Sequence, residues 1–401
     1  MSTKIRALLA ASVAGATLLA ASAAVQAQEV KVGIIFGFTG PLETITPGMA
    51  GSAEMALKEV NDSGLLLDGQ TLTPVRADST CIDNAAATAA AERLVTTDNV
   101  AAIVGADCSG VTIGIVNNVA VPNGVVMISP SATSPALTDI DDKDYFFRTA
   151  PSDARQGEIL TEVIRSNDIN SVAVSYTNND YGKGFSDSFV AAFEAAGGTV
   201  TIAAPHDDGK GDYSAEVGAL ASAGGDMLVV LGYVDQGGVG IIRAAVDTGA
   251  FERFGLGDGM YGQSLIDAIG DDLEGTVGVI PGAEGEGSEK FAAAATAAGL
   301  DPTSSYTGES YDAAALIALA IQKAGSTDRT AIRDAVLDVA NEPGEKILPG
   351  ELAKGLQILK DGGDIDYVGA TNVELIGPGE ASGTYREYIV EGGEYKTVGY
   401  R

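Results

Sequence analysis

The sequence predicts an α/β protein of two parallel-sheet lobes, and three observations carry that prediction. Short apolar runs alternate with helical segments at the spacing of strand–helix–strand crossovers. The alternation comes in two successive series that divide near Pro151. A helix-rich stretch then ends in short Gly- and Tyr-rich β segments, which suits a chain that returns to complete one lobe and crosses to finish the other. With 401 residues the chain is also too long for one ordinary core.

The elements follow in order. Val30–Phe36 is an uninterrupted apolar strand, and Gly37-Phe38-Thr39-Gly40-Pro41 turns it toward a helix over Met49–Asn61. Leu72–Ala77 is the next strand and alanine-rich Asn84–Thr97 the next helix. Ala101–Val104, a helix near Val111–Asn118, Val125–Ile128 and Tyr145–Thr149 complete the first series. Runs such as Ala101–Val104 read as parallel strands buried on both faces. The second series comprises helices over Asp153–Asn167, Tyr181–Ala196, Tyr213–Ala223 and Val239–Thr248. Its strands are Ser171–Tyr176, Thr199–Ala203, Met227–Leu231, Phe254–Leu256 and Thr276–Ile280. Helices over Ser288–Ala298, Tyr311–Ala324, Arg329–Asn341 and Pro349–Lys360 follow. The chain closes on β segments Asn372–Ile376, Thr384–Val390 and Tyr395–Val398. No fixed-period repeat or low-complexity linker is visible, so the lobes are expected to share several crossings rather than one tether.

The first 27 residues read as a secretory signal. Lys4 and Arg6 precede the apolar, alanine-rich run Ala7–Ala24, and Val25-Gln26-Ala27 places small residues before Gln28. No later run is apolar enough to span a membrane, so the mature chain is expected to be exported and soluble. The formal charge of −31 repels nucleic acid and anionic membranes, which argues against both as partners. Such acidity also suits a protein that stays soluble at high salt. Cys81 and Cys108 are the only cysteines. An even count in an exported chain suggests one disulfide, the alternative being two buried thiols. A bond would close a loop of about 27 residues, worth ~3–4 kcal/mol in the chain-entropy account.

The usual catalytic constellations are missing. His206 is the single histidine and reads as a solvated residue of the polar loop Pro205-His206-Asp207-Asp208. Histidine metal clusters are thereby excluded, and a Ser-His-Asp arrangement has little to stand on. A secreted hydrolase would also show a Gly-x-Ser-x-Gly elbow, which the chain lacks. Gly257-Asp258-Gly259 has neither the P-loop lysine nor dinucleotide-binding spacing. No metal or cofactor is expected.

What remains is recognition chemistry, centred on Gly105–Thr138. Two hydroxyl-rich reversals, Asp107-Cys108-Ser109-Gly110 and Ser129-Pro130-Ser131-Ala132-Thr133, each follow a buried strand. Open α/β sheets bind ligands in such loops. Ser109, at a helix start, can offer a carboxylate both its hydroxyl and its N–H, the plainer alternative being an N-cap. Ser131 and Thr133 carry a turn alternative of similar weight. Asp258, flanked by glycines that permit close backbone approach, is a candidate for a ligand ammonium, against an ordinary Asp-Gly turn. Tyr181 and Tyr233 each follow a strand of the second series and offer ring faces and hydroxyls, against half-buried surface tyrosines.

Several stretches, in this order, carry a family resemblance. They are Val30-Lys31-Val32-Gly33 with Thr39-Gly40-Pro41, Asp78-Ser79-Thr80-Cys81, Cys108-Ser109, and Met127-Ile128-Ser129-Pro130-Ser131-Ala132-Thr133. Asn179-Asp180-Tyr181-Gly182, Leu231-Gly232-Tyr233 and Tyr311-Asp312-Ala313 continue the series. Over nearly its whole mature length the chain resembles the periplasmic leucine/isoleucine/valine-binding proteins, the substrate-binding subunits of branched-chain amino acid ABC transporters. The resemblance implies a type I periplasmic binding fold with three hinge crossings and the Cys81–Cys108 bond. It assigns Ser109, Ser131, Ala132 and Thr133 to the carboxylate and ammonium region, Asp258 to the ammonium, and Tyr181 and Tyr233 to the second lobe's face of the site. Leucine-binding members carry a ligand-packing tyrosine near Leu42–Thr46; Ile45 stands there in this chain, so the side-chain pocket is expected to differ.

The resulting expectation is a non-enzymatic, periplasmic, monomeric binding protein that captures an amino acid-like ligand and delivers it to an ABC permease. A ligand-sensing subunit, or a binder of amides, urea or aromatic acids, is the alternative. Lobe 1 is expected over 28–148 plus about 281–383, and lobe 2 over 149–280 plus about 384–401.

Overall fold

The computed structural model describes residues 29–401, so the expected signal segment lies outside the described residues. Two seven-stranded sheets organise the chain. The first holds β1 (Glu29–Phe36), β2 (Thr71–Asp78), β3 (Ala102–Gly105), β4 (Val126–Ser129) and β5 (Phe146–Arg148). The second holds β6 (Ser171–Thr177), β7 (Thr199–His206), β8 (Met227–Leu231), β9 (Phe254–Leu256) and β10 (Val277–Pro281). A separate two-stranded sheet pairs β11 (Glu345–Ile347) with β12 (Ile365–Tyr367), strands too short and interrupted to read from sequence. The returning chain adds β13 (Leu375–Ile376) and β14 (Glu380–Ala381) to the first sheet. It then adds β15 (Tyr385–Glu391) and β16 (Glu394–Tyr400) to the second.

Both sheets repeat one topology. The first runs β13-β14-β5-β4-β3-β1-β2 and the second β16-β15-β10-β9-β8-β6-β7. In each, the first strand lies between the second and third, and these core strands are parallel. The last strands differ, since β15 pairs antiparallel with β10 and with β16. A sheet of this order has its switch point beside its first strand, and ligands bind outside the strands' carboxyl ends there. Residues 149–152, 282–285 and 382–384 carry the chain between the sheets.

The core explains the strand pattern. Val32, Ile34, Ile35 and Phe36 of β1 are fully buried, as a strand covered by helices on both faces must be. The helix Thr307–Ala324 packs on the helix Thr46–Ser63, and Ala313 through Ile321 are solvent-free on every side. That all-round apolar surface makes it the central helix of the first half. Asp83, Ser152, Asn179 and Asp328 cap the helices that follow them by accepting backbone N–H bonds. Among the described residues no helix is long and apolar enough to cross a membrane.

One expectation fails in this region. β7 runs on to His206, which is 1% exposed, so the histidine is a buried strand residue and not a solvated loop residue. Its Nδ1 meets the Ser175 hydroxyl at 2.8 Å and its Nε2 has no partner. Burial lowers its pKa to about 4.

Candidate functional site

Loops after β1, β3 and β4 converge on those after β6, β8 and β9. At the end of β3, Gly105 holds φ +128°, and a Cβ there would stand 2.3 Å from the Ile35 carbonyl. Only glycine can turn the chain at that point. Next comes buried Asp107, whose carboxylate accepts from Gly37 N (2.8 Å) and from the Ser79 hydroxyl (2.9 Å). Loops from three strands are thereby tied to one side chain. The Cys81–Cys108 disulfide, with Cα atoms 5.2 Å apart, fastens the same corner. Cys81, Asp107 and Cys108 are the one His/Cys/Asp/Glu cluster close enough to hold a metal among the described residues, and the disulfide removes both sulfurs as thiolate ligands.

Ser109 begins the helix Ser109–Ile115, with Cys108 in the cap position, so its hydroxyl does not cap its own helix. The Ser109 Oγ instead accepts from Ser134 N at 3.1 Å, joining the β3 loop to the β4 loop. Its own O–H is left to donate. The Ser131 hydroxyl donates to the Asp107 carbonyl at 3.0 Å, and Ser129 donates to the Ala106 carbonyl at 2.5 Å. Behind this loop lies Arg148, 1% exposed, which the sequence reading missed. It donates to the carbonyls of Ala132 (3.0 Å) and Ser134 (2.9 Å) and to the Thr138 hydroxyl (2.9 Å), and it pairs with Glu380. A guanidinium presents five donors in a fixed fork, so one buried side chain sets the whole loop.

Asp258 opens a short turn after β9 and is fully buried. Its carboxylate accepts from the Tyr181 hydroxyl at 2.5 Å, from Gly259 N at 2.9 Å and from the Tyr306 hydroxyl. The flanking glycines matter for protein packing: a Cβ on Gly259 would stand 2.6 Å from the Gly232 carbonyl, and one on Gly257 2.8 Å from Phe185. Tyr181 and Tyr233 stack at 5.1 Å with planes 15° apart, and both are buried rather than surface residues. Burial raises Asp258, while Tyr181, Tyr306, Gly259 and Gln156 hold it down by donating to it. Burial, followed by the nearby Asp258 charge, lifts the Tyr181 and Tyr306 hydroxyls well above the ordinary tyrosine range. Both therefore stay protonated donors at neutral pH.

Five of the residues singled out in the sequence, Ser109, Ser131, Tyr181, Tyr233 and Asp258, line one cavity of about 20 Å³. Leu42 and Tyr306 join them. Ala132 and Thr133 are buried and do not line it. Ile45 does not reach it either: Leu42, nearly one helical turn earlier, faces the cavity, and Ile45 packs beside Gly262. Tyr306 gave no sequence signal, because its partner Asp258 lies 48 residues away and its own neighbours form a polar turn.

Bonds between the two halves close the cleft. Thr44 donates from its N–H to Asp235 at 2.9 Å and from its hydroxyl at 2.8 Å, while Asp235 N donates to the Pro41 carbonyl at 3.1 Å. At the other rim the Ser134 hydroxyl donates to the Asp180 carbonyl at 3.0 Å.

A family model described as periplasmic binding protein matches residues 29–346. The chain is 31% identical to the leucine-, isoleucine-, valine-, threonine- and alanine-binding protein of Pseudomonas aeruginosa, over 79% of this chain and 84% of that protein. It is 25% identical to BasB of Halobacterium salinarum, a chemotactic signal transduction system substrate-binding protein, over 87% of this chain and 84% of that one. In fold it is similar to the leucine-binding protein LivK of Thermotoga maritima, with a TM-score of 0.78, 23% identity and coverage of 92% and 98% of the two chains. Family match, relatives and the twin-sheet cleft agree: the chain belongs to the leucine/isoleucine/valine-binding family of periplasmic binding proteins, which bind substrates and are not enzymes.

Proposed function

We propose that this protein is exported, loses its first 27 residues, and captures an amino acid between its two halves for delivery to an ABC permease. One observation supports this most: a buried carboxylate, Asp258, shares a cavity with the Ser109 hydroxyl, whose proton is uncommitted, and with the Ser131 loop. An α-amino acid needs that separation of charge preferences, an anionic acceptor for its ammonium and neutral donors for its carboxylate. Closure over the ligand works as a population shift, so the ligand must touch both halves. Ser109 and Ser131 follow strands of the first sheet, while Tyr181, Tyr233 and Asp258 follow strands of the second. Leu42 and Tyr306 take the side chain in this reading, and the working unit is a monomer.

A thermal-shift screen of the standard L-amino acids tests the ligand class. At 100 times its dissociation constant a ligand stabilises by about 2.7 kcal/mol, an unmistakable shift. A flat response to every amino acid sinks the reading. The likeness to BasB favours a second role at the same site, reporting the ligand to a membrane receptor. Co-purification with a permease or with a receptor separates the two.

A further inference from the structure

We infer that a second cavity, at the chain crossings, binds a small zwitterion, with its ammonium at Glu309 and its carboxylate at Arg386. The cavity holds about 270 Å³ and meets the one that Ser109 and Asp258 share only through Tyr306, which lines both. Its walls come from both halves. Glu309 lies in the first turn of the central helix Thr307–Ala324, while Ile280 and Arg386 belong to β10 and β15 of the second sheet. All three crossings gather here. Gly282 and Ala283 line the cavity, Gly282 N donates to the Thr384 carbonyl at 3.1 Å, and the Thr149 hydroxyl donates to the Glu309 carbonyl at 2.8 Å. A molecule seated in this cavity therefore touches the segments that join the halves.

Charge carries the assignment. Glu309 is 4% exposed, and no other residue donates to its carboxylate. The helix dipole favours an acid in a first turn, but it does not account for burying one without donors. Burial lifts this group to about 7, with Asp312 raising it further and Arg386 drawing it down. Arg386 thus acts on Glu309 by charge, yet the two form no ion pair. The guanidinium donates to the Thr303 carbonyl at 3.0 Å and lies 5.1 Å from the Tyr261 ring centre. With five N–H groups it keeps donors to spare. Exposed Glu289 also lines the cavity and adds negative charge to it. Two opposite charges thus border one cavity without touching. A lone cation or a lone anion satisfies one of them, whereas a small molecule carrying both charges satisfies each with a charge-assisted hydrogen bond.

The test is calorimetry on the Asp258→Ala chain, so that binding in the cleft does not mask the second cavity. The probes are glycine, β-alanine and 5-aminopentanoate, whose ammonium and carboxylate stand at growing separation, with acetate and ethylamine as single-charge controls. At about pH 8 Glu309 is mostly ionised. At least one zwitterion is expected to bind with a dissociation constant below about 1 mM. Adding Glu309→Gln, or separately Arg386→Gln, is expected to weaken it by about tenfold or more, the scale of a charged hydrogen bond. No zwitterion binding in that range overturns the inference, as does affinity within about threefold in both variants. Acetate or ethylamine binding as tightly as the best zwitterion overturns two-charge recognition. Should Glu309→Gln not fold, Arg386→Gln decides by the same measure. The cavity is independent of the cleft's ligand, so a cleft that takes no amino acid leaves this inference standing.

Discussion

Asp312 and Asp153 are both fully buried aspartates, and their surroundings are opposite. Asp312 accepts from the Tyr367 hydroxyl and Ala370 N at 2.8 Å, from Thr371 N at 2.9 Å and from the Thr371 hydroxyl at 2.6 Å. Burial lifts it, and those four donors restrain it to about 6. Asp153 has no such set and is driven well above the ordinary range. A buried carboxylate whose acceptors are all engaged fixes the backbone around it. One whose acceptors are free costs stability and persists where a binding partner repays it. The contrast separates a buried carboxylate that organises the backbone around it from one whose oxygens the fold leaves unpaired.

The largest expected effect falls on the fold-building side. Asp312→Ala strips the partner from two backbone N–H groups and two hydroxyls, and should destabilise by about 3–5 kcal/mol, since each unsatisfied buried group costs roughly 1–3 kcal/mol. Urea denaturation reads the loss, and ligand affinity of the remaining folded protein should hold. A loss below ~1 kcal/mol would break the contrast.

His206 lies between the two cases, with Nδ1 partnered and Nε2 bare. Its pKa falls from 6.5 to about 4, so the native state holds it neutral. Its contribution is therefore complete above about pH 6.5 and is lost as pH falls toward 4, because the unfolded chain then binds the proton first. Glu309 and Asp312, raised to about 7 and about 6, act in the opposite direction over part of that window, so the comparison must be differential. Between pH 7.5 and 4.5 wild type should lose about 2–3 kcal/mol more than His206→Gln, at about 1.4 kcal/mol per tenfold change in proton affinity. Parallel pH profiles would show that burial does not hold the ring neutral.

Much of this was legible in the sequence where local rules suffice. Uninterrupted apolar runs marked the buried parallel strands, whereas the glycines around Asp258, expected to admit a ligand, make room for the Gly232 carbonyl and Phe185 of the protein itself. What escaped depends on distant partners. Asp153 after Ser152 reads as an ordinary first-turn acid behind an N-cap, and its burial arises only when the chain crossings pack together. Arg148 is charged at the end of an apolar strand, and its acid partner comes 232 residues later. β7 extends to His206 because β6 pairs as far as Thr177, a fact of sheet register that no loop composition reveals. The exchange of Ile45 for Leu42 at the cavity is likewise a matter of how one turn enters its helix.

Next in size is Asp258→Ala, which should weaken amino acid binding by more than ~1.5 kcal/mol, the scale of a charged hydrogen bond. Calorimetry showing unchanged affinity removes Asp258 from the site.

The smallest predicted effect sharpens the distinction most, because it compares two serines of one cavity. The Ser109 Oγ accepts from Ser134 N and keeps its proton for a ligand, whereas the Ser131 hydroxyl is already committed to the Asp107 carbonyl. Ser109→Ala should therefore cost affinity on the scale of one neutral hydrogen bond, about 0.5–1.5 kcal/mol or roughly two- to twelvefold. Ser131→Ala should change affinity by less than that and appear mainly as a small loss of stability. Equal affinity losses would mean that a hydroxyl's existing partner does not decide its use. In that case a hydroxyl whose proton is uncommitted loses its value as a marker of the site.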